Sequence, residues 1–125
     1  MLDTHAVVWR WQINPRLPEA ARNAISDTSN EVLVSAASVW ELATRFRSRK
    51  WDEVGEIVAQ FGAKAPNSQF GMLPITCAHS RLAGSLFGEH RDPFDRMLAA
   101  QSLIEHATLV TGNLALAQFG IDVLW

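Results

Sequence analysis

Asp3, Glu41 and Asp95 are the residues whose type and setting carry chemistry. Each stands where a helix is expected to begin, in Leu2-Asp3-Thr4-His5, Ser38-Val39-Trp40-Glu41 and Asp92-Pro93-Phe94-Asp95. A single acid there can cap the helix by accepting backbone N–H bonds. Three brought together would form a site for a hard divalent cation, Mg2+ or Mn2+, which favours carboxylate and water oxygens. Two carboxylates about 4 Å apart repel by roughly 4 kcal/mol at an effective dielectric near ~20. A chain selected only for stability would not gather three, and a cation reverses the sign of that term. Such a site polarises a phosphoryl oxygen and lowers the pKa of a water, which suits phosphodiester hydrolysis.

The capping reading stands beside the metal reading at each acid. Asp3 reads as an N-cap. Ser38-x-x-Glu41 fits a capping box, with Glu41 reaching back to the Ser38 N–H. Asp92 fits a cap before Pro93, leaving Asp95 in the first turn. Asp92 and Asp95 are three apart and share a helix face. Ala99 and Ser102 continue that face and, being small, are expected to leave room for a cation and its waters. Phe94, Met97, Leu98 and Ile104 form the packing stripe.

The elements that must position these acids alternate between strand and helix. Leu2 reads as the end of a first strand, so short that its beginning is expected to precede Met1. Helices are expected over Thr4 to Ile13, from Pro18, over Ala37 to Lys50 and over Asp52 to Phe61. A Gly, Pro and Asn stretch follows. Thr76 caps a helix to Phe87, and Asp92 to His106 is the clearest helix. Asn113 to Phe119 reads as a short one. Strands are expected at Glu31 to Val34, Met72 to Ile75, Thr108 to Thr111 and Ile121 to Leu124. Pro74 places its strand at an edge or an end. This order implies a mostly parallel sheet with helices on both faces. Ligands bind such folds beyond the carboxyl ends of the strands. Asp3 and Gly112-Asn113 fall at two such ends, and Glu41 falls just beyond a third.

With 125 residues, nearly half of them hydrophobic, residues 1–125 are expected to form one domain with a packed core. No apolar run approaches the ~20 residues of a membrane span, and no basic-then-apolar leader precedes the first motif. Cys77 is the sole cysteine, which excludes an internal disulfide and fits a reducing cytoplasm. The formal net charge of −2 gives no global attraction to nucleic acid, so such binding must use a local basic patch.

The chain resembles the PIN domain, in particular the VapC-type toxins of bacterial toxin–antitoxin systems. The resemblance rests on Leu2-Asp3-Thr4-His5-Ala6, the run from Val34 to Ala43, Leu73-Pro74-Ile75-Thr76, His90-Arg91-Asp92-Pro93-Phe94-Asp95-Arg96 and Leu109-Val110-Thr111. These follow the family's order over almost the whole chain. It implies a three-layer α/β/α fold and a ribonuclease that hydrolyses RNA with Mg2+ or Mn2+ and a metal-activated water. By position, Asp3, Glu41 and Asp95 are the metal-holding acids. Asp92 is an outer-shell group or a cap. The fourth corner falls on Asn113, where many PIN domains have Asp. It also implies a homodimer and a small cognate antitoxin.

Thr4 and Thr111 adjoin the proposed ligands and are expected to orient a carboxylate or a water, or to make ordinary cap bonds. His5 is expected to be structural or a donor to a ligand. His79, His90 and His106 are expected at the surface or in packing. Arg45, Arg47, Arg91 and Arg96 are the candidate RNA phosphate contacts, with Arg96 the foremost or else a salt-bridge partner. Trp9, Trp11, Trp40 and Trp51 are expected in the core, or on an apolar face that a partner covers. Two other functions fit less of the sequence. One is a degenerate PIN domain that only binds RNA or protein, suggested by Asn113 and the short first strand. The other is a small-ester phosphohydrolase, which lacks an Asp-x-Asp nucleophile because Thr4-His5 follows Asp3.

Overall fold

A computed structural model describes residues 1–63 and 70–125. Most of the Gly, Pro and Asn stretch after Phe61 lies outside the described residues.

The helices are α1 (Thr4–Trp11), α2 (Glu19–Ser26), α3 (Ala36–Arg47), α4 (Gly55–Ala63), α5 (Cys77–Ser85) and α6 (Pro93–Glu105). The strands are β1 (Leu33–Ser35), β2 (Gly71–Leu73), β3 (Leu109–Val110) and β4 (Val123–Leu124). Two 3-10 turns, Asp52–Val54 and Leu114–Phe119, replace the start of one expected helix and all of another.

β1 pairs with β2 and β3 with β4, both in parallel. Leu2 makes parallel bridges to Val34 on one side and Val110 on the other. The Leu2 N–H donates to Leu33 O at 2.9 Å, and the Asp3 N–H donates to Val110 O at 3.0 Å. The sheet order is therefore β2, β1, the Leu2 segment, β3, β4. The chain builds outward on one side of Leu2, then returns to its other side at β3. That reversal opens a crevice at the carboxyl ends of Leu2 and β3, the usual ligand position in such sheets.

Side-chain alternation along the strands makes three layers. Leu2, Val34, Val110 and Leu124 pack with Val7, Leu17, Ala21 and Ile25 of α1, α2 and their connection. Their neighbours Met1, Leu33, Leu109 and Val123 pack with Leu98 and Ala99 of α6 and with Leu116 and Phe119. A period of two thus sends apolar residues to both faces, and helices cover each face. Val8, Leu42, Val54 and Ile57 form a third cluster joining α1, α3 and α4. The α3–α4 contact is close: a Cβ on Gly55 would lie 2.7 Å from the Phe46 ring.

Two local expectations fail. The helix carrying Glu41 begins at Ala36, and its cap is Ser35, whose side chain accepts from the Ala37 N–H. Glu41 therefore lies in the second turn, and no Ser38 capping box forms. The strand runs one residue further than expected and feeds straight into the helix, so the earlier serine takes the cap. The second failure concerns Ala99 and Ser102, which do not open space beside a cation. Ala99 is fully buried in the core, and the Ser102 hydroxyl donates to Ala107 O at 2.5 Å. α6 runs from the carboxyl edge of the sheet towards the start of β3, so successive turns carry its face away from the acids.

Buried polar side chains anchor α5 and α6. Gln101 accepts from the Ser35 hydroxyl and donates to Pro74 O at 3.2 Å, tying α6 to the ends of β1 and β2. Thr76 caps α5 as expected and forms a box with His79, whose Nδ1 accepts from the Thr76 N–H at 3.1 Å. His79 Nε2 must then carry the proton and donates to Glu105 Oε1 at 3.0 Å. His79 is 1% exposed, a packing residue that joins the two helices. Among the described residues, no helix is long and apolar enough to cross a membrane.

Candidate active site

Asp3, Glu41, Asp92, Asp95 and Asn113 line one cleft of about 550 Å³ at the carboxyl edge of the sheet. Each arrives by a different route. Asp3 leaves the central strand and caps α1, accepting from the Ala6 N–H at 2.6 Å. Glu41 reaches in from the second turn of α3. Asp92 caps α6 through the Phe94 N–H at 2.9 Å and the Asp95 N–H at 3.4 Å. Asp95 projects from the first turn of that helix. Asn113 follows β3, where its N–H donates to Thr111 Oγ1 at 3.0 Å. Gly112 lets the Trp125 indole close one wall, since a Cβ there would meet that ring at 3.1 Å.

Neighbours engage these carboxylates. Glu41 Oε2 accepts from the Thr4 hydroxyl at 2.5 Å, and Glu41 Oε1 accepts from Arg45 Nε at 2.6 Å. Asp95 Oδ2 accepts from His90 Nε2 at 2.7 Å and from the Asn113 side-chain amide at 3.1 Å. Asp3 is 7% exposed and Glu41 5%. Burial pushes the Asp3 carboxyl above its ordinary value. The Ala6 N–H, the Thr111 hydroxyl and His5 pull it down, while the nearby Asp95 charge adds to the rise.

The chain belongs to the PIN domain family. The family model described as "PIN domain" matches residues 1–121. Among solved structures, the PIN fold seen here is similar to a chain in the crystal structure of VapBC2 from Rickettsia felis bound to a DNA fragment from their promoter. That match has a TM-score of 0.68 at 18% sequence identity, covering 99% of this chain and 96% of that one. No curated protein matches the sequence.

Of the candidate phosphate contacts in this PIN domain, only Arg45 lines the cleft. Arg47 and Arg91 are exposed outside its lining. Arg96 makes no salt bridge among the described residues, and its guanidinium is engaged by backbone carbonyls rather than turned to the cleft. Its Nε donates to Ala83 O at 2.9 Å, its Nη1 to His90 O at 3.0 Å and its Nη2 to Leu86 O. The guanidinium turns inward because α5 ends beside it with unpaired carbonyls, which attract a cation.

Sequence reasoning underrated His90 and passed over Trp125. His90 was expected at the surface or in packing, yet it holds Asp95. Its position five residues before Asp95 was the available signal, but a loop of uncertain path hid its direction. His5 and Trp9 also line the cleft, and Thr111 lies buried beneath it.

Among the described residues, no three His, Cys or acidic side chains converge on one point in this arrangement. The donor set still fits a hard cation. It gathers carboxylates whose like charges repel, Asp3 and Glu41 of them buried, with the Asn113 amide in place of a further charge. Arg45 and His90 engage carboxylate oxygens that a cation would otherwise use.

Proposed function

We propose that this PIN domain, read as a single domain over residues 1–125, is a metal-dependent endoribonuclease and the VapC-type toxin of a toxin–antitoxin pair. The observation that carries the reading is the convergence of Asp3, Glu41, Asp92, Asp95 and Asn113 on one cleft at the sheet's topological switch. The VapBC likeness supports the toxin reading and, with it, a cognate antitoxin; the homodimer and the cytoplasmic setting are part of the same proposal.

Asp3, Glu41 and Asp95 would hold Mg2+ or Mn2+, with Asn113 assisting through its carbonyl oxygen. The bound cation would supply charge for the phosphoryl oxygen and a more acidic water. The chain's own part is positioning. Thr4 fixes one Glu41 oxygen and His90 fixes one Asp95 oxygen. Arg45 lies where it can release Glu41 and meet a phosphate instead. Thr111 supports Asp3 from below. No covalent enzyme intermediate is needed, because the nucleophile is water.

The test is RNA cleavage by purified protein in Mn2+, with Asp3→Asn as the control. Cleavage is expected for the wild type and absent for the variant, with the fold retained. Equal rates for the two proteins would rule out the assignment.

Two observations favour a second reading, a PIN domain that binds RNA or a protein without cutting. Both Glu41 oxygens are engaged and Asn113 lacks a charge. Metal-dependent cleavage would eliminate that reading.

A further inference from the structure

A second cavity of about 290 Å³ adjoins the acidic cleft and shares His5, Trp9 and Arg45 with it. Its character is opposite. The cleft carries Asp3, Glu41, Asp92 and Asp95 against Arg45. The second cavity carries Arg16, Arg45 and Lys50 against Glu53. Its remaining walls are three rings and the side chains of Gln12 and Asn14: the His5 ring lies 4.8 Å from Trp51, tilted 31°, and 5.7 Å from Trp9.

Backbone turns hold these walls in place. After α1, the Asn14 N–H donates to Trp9 O at 2.8 Å, and Asn14 Oδ1 accepts from the Arg16 N–H at 3.0 Å. After α3, Arg49 takes a left-handed conformation at φ 53, and the Lys50 N–H returns to Arg45 O at 2.9 Å. Trp9 and Trp51 press one side onto the core shared by α1, α3 and α4. They are partly exposed, and His5, Arg16 and Lys50 are exposed. The aromatic surface is therefore preformed and open to solvent.

Aromatic faces interleaved with cations are what single-stranded nucleic acid requires. Bases stack on rings, and phosphates pair with Lys and Arg. A cavity of this size lies near the lower end of small-ligand pockets, roughly 300 Å³, and suits one base with its sugar. The net charge of −2 provides no global attraction, so a local basic pocket must supply it.

We propose that the His5, Trp51, Arg16 and Lys50 pocket is a nucleotide subsite for single-stranded RNA, next to the scissile phosphate. The base stacks against Trp51 and His5. Arg16 and Lys50 each neutralise one of the two adjoining phosphates. Arg45, on the border, faces the acids on one side and the RNA backbone on the other. The inference rests on the ribonuclease reading and adds to it where an unstacked base is held. A paired base cannot enter such a pocket, so single strands are favoured over duplexes.

The test uses a short fluorescein-labelled single-stranded RNA of mixed sequence. Binding is read by anisotropy in EDTA, and cleavage is read separately in Mn2+. Arg16→Glu/Lys50→Glu alters only exposed side chains. It should weaken binding and lower the slope of log K against log salt by about 1.4, the value for two lost single-strand phosphate contacts. Trp51→Ala should weaken binding roughly 5- to 150-fold, the range for one lost stack, with a melt to check its fold. In Mn2+ both changes should raise KM and leave kcat in place.

If the wild type cleaves and the charge variant matches its affinity, salt slope and KM, the subsite is overturned and the nuclease reading stands. If the wild type binds RNA without cleaving, the nuclease reading fails. Loss of affinity in the charge variant then still supports the subsite. No binding by the wild type, or equal binding by the variants, overturns it and leaves the pocket to a protein partner.

Discussion

Replacing Arg96 with Met keeps the aliphatic stem and removes the guanidinium. Three carbonyls then lose their donor, those of Ala83, Leu86 and His90. Hydrogen bonds to charged groups contribute from about 1.5 kcal/mol each, so three at that value would sum to about 4.5 kcal/mol. They share one side chain and are not additive. The loop carbonyls also regain water once freed. The guanidinium lies 5.7 Å from the Phe119 ring centroid, a smaller cation–π contribution. A loss of about 3 kcal/mol is therefore expected, which lowers Tm by about 9–15 °C in a chain of this size. Arg96→Lys should recover only about a third of it, because a single ammonium cannot fork to three carbonyls. Cleavage should fall as well, through kcat, since His90 loses its anchor and His90 orients Asp95. The assays are a thermal melt in EDTA and steady-state cleavage of a single-stranded RNA. A melt within about 2 °C of wild type, together with a raised KM, would show that Arg96 contacts phosphate and that the clamp account is wrong.

Three further outcomes follow from the cleft. Asp3→Asn should be more stable than wild type at neutral pH in EDTA, because burial and Asp95 hold the Asp3 carboxyl above its ordinary 3.8. The folded wild type binds more protons than the unfolded chain in that window, so its stability falls as pH rises through it. The gap should close as pH drops below the unfolded value, and melts across pH that show a constant gap would refute the assignment. Mn2+ at about a hundredfold excess over its Kd should stabilise wild type by about 2.7 kcal/mol and leave Asp3→Asn unchanged, as read by calorimetry. His90→Ala should weaken Mn2+ binding and cleavage, and His90→Gln, which keeps a donor, should restore part of both; titration calorimetry with no difference from wild type would remove His90 from the site.

Much of the architecture was legible in the chain because its signals are local. Thr76, Asp92 and Asp3 read as caps and cap their helices, since a cap depends on the next three residues. The parallel sheet followed from alternation of short apolar runs with helices. Boundaries shifted where two signals competed, as at Ser35 and Ser38, which are both adequate caps. Leu114–Phe119 became a 3-10 turn because Gly120 ends it in a left-handed conformation before an amphipathic helix can lengthen.

The sequence by itself determined the family, the order of elements and which acids stand near strand ends, because periodicity, caps and motif spacing are properties of neighbouring residues. Only the tertiary structure decided what each long side chain meets. It turned Arg96 inward to three carbonyls, set His90 and the Asn113 amide on one oxygen of Asp95, and gave Glu41 to Thr4 and Arg45. It buried Ala99 and Ser102 where room for a cation was expected. It also set Trp51 against His5, which is far from it in the chain. Such partners are chosen by packing between elements remote in sequence, where the burial of charge and of carbonyls selects among directions that local sequence leaves open.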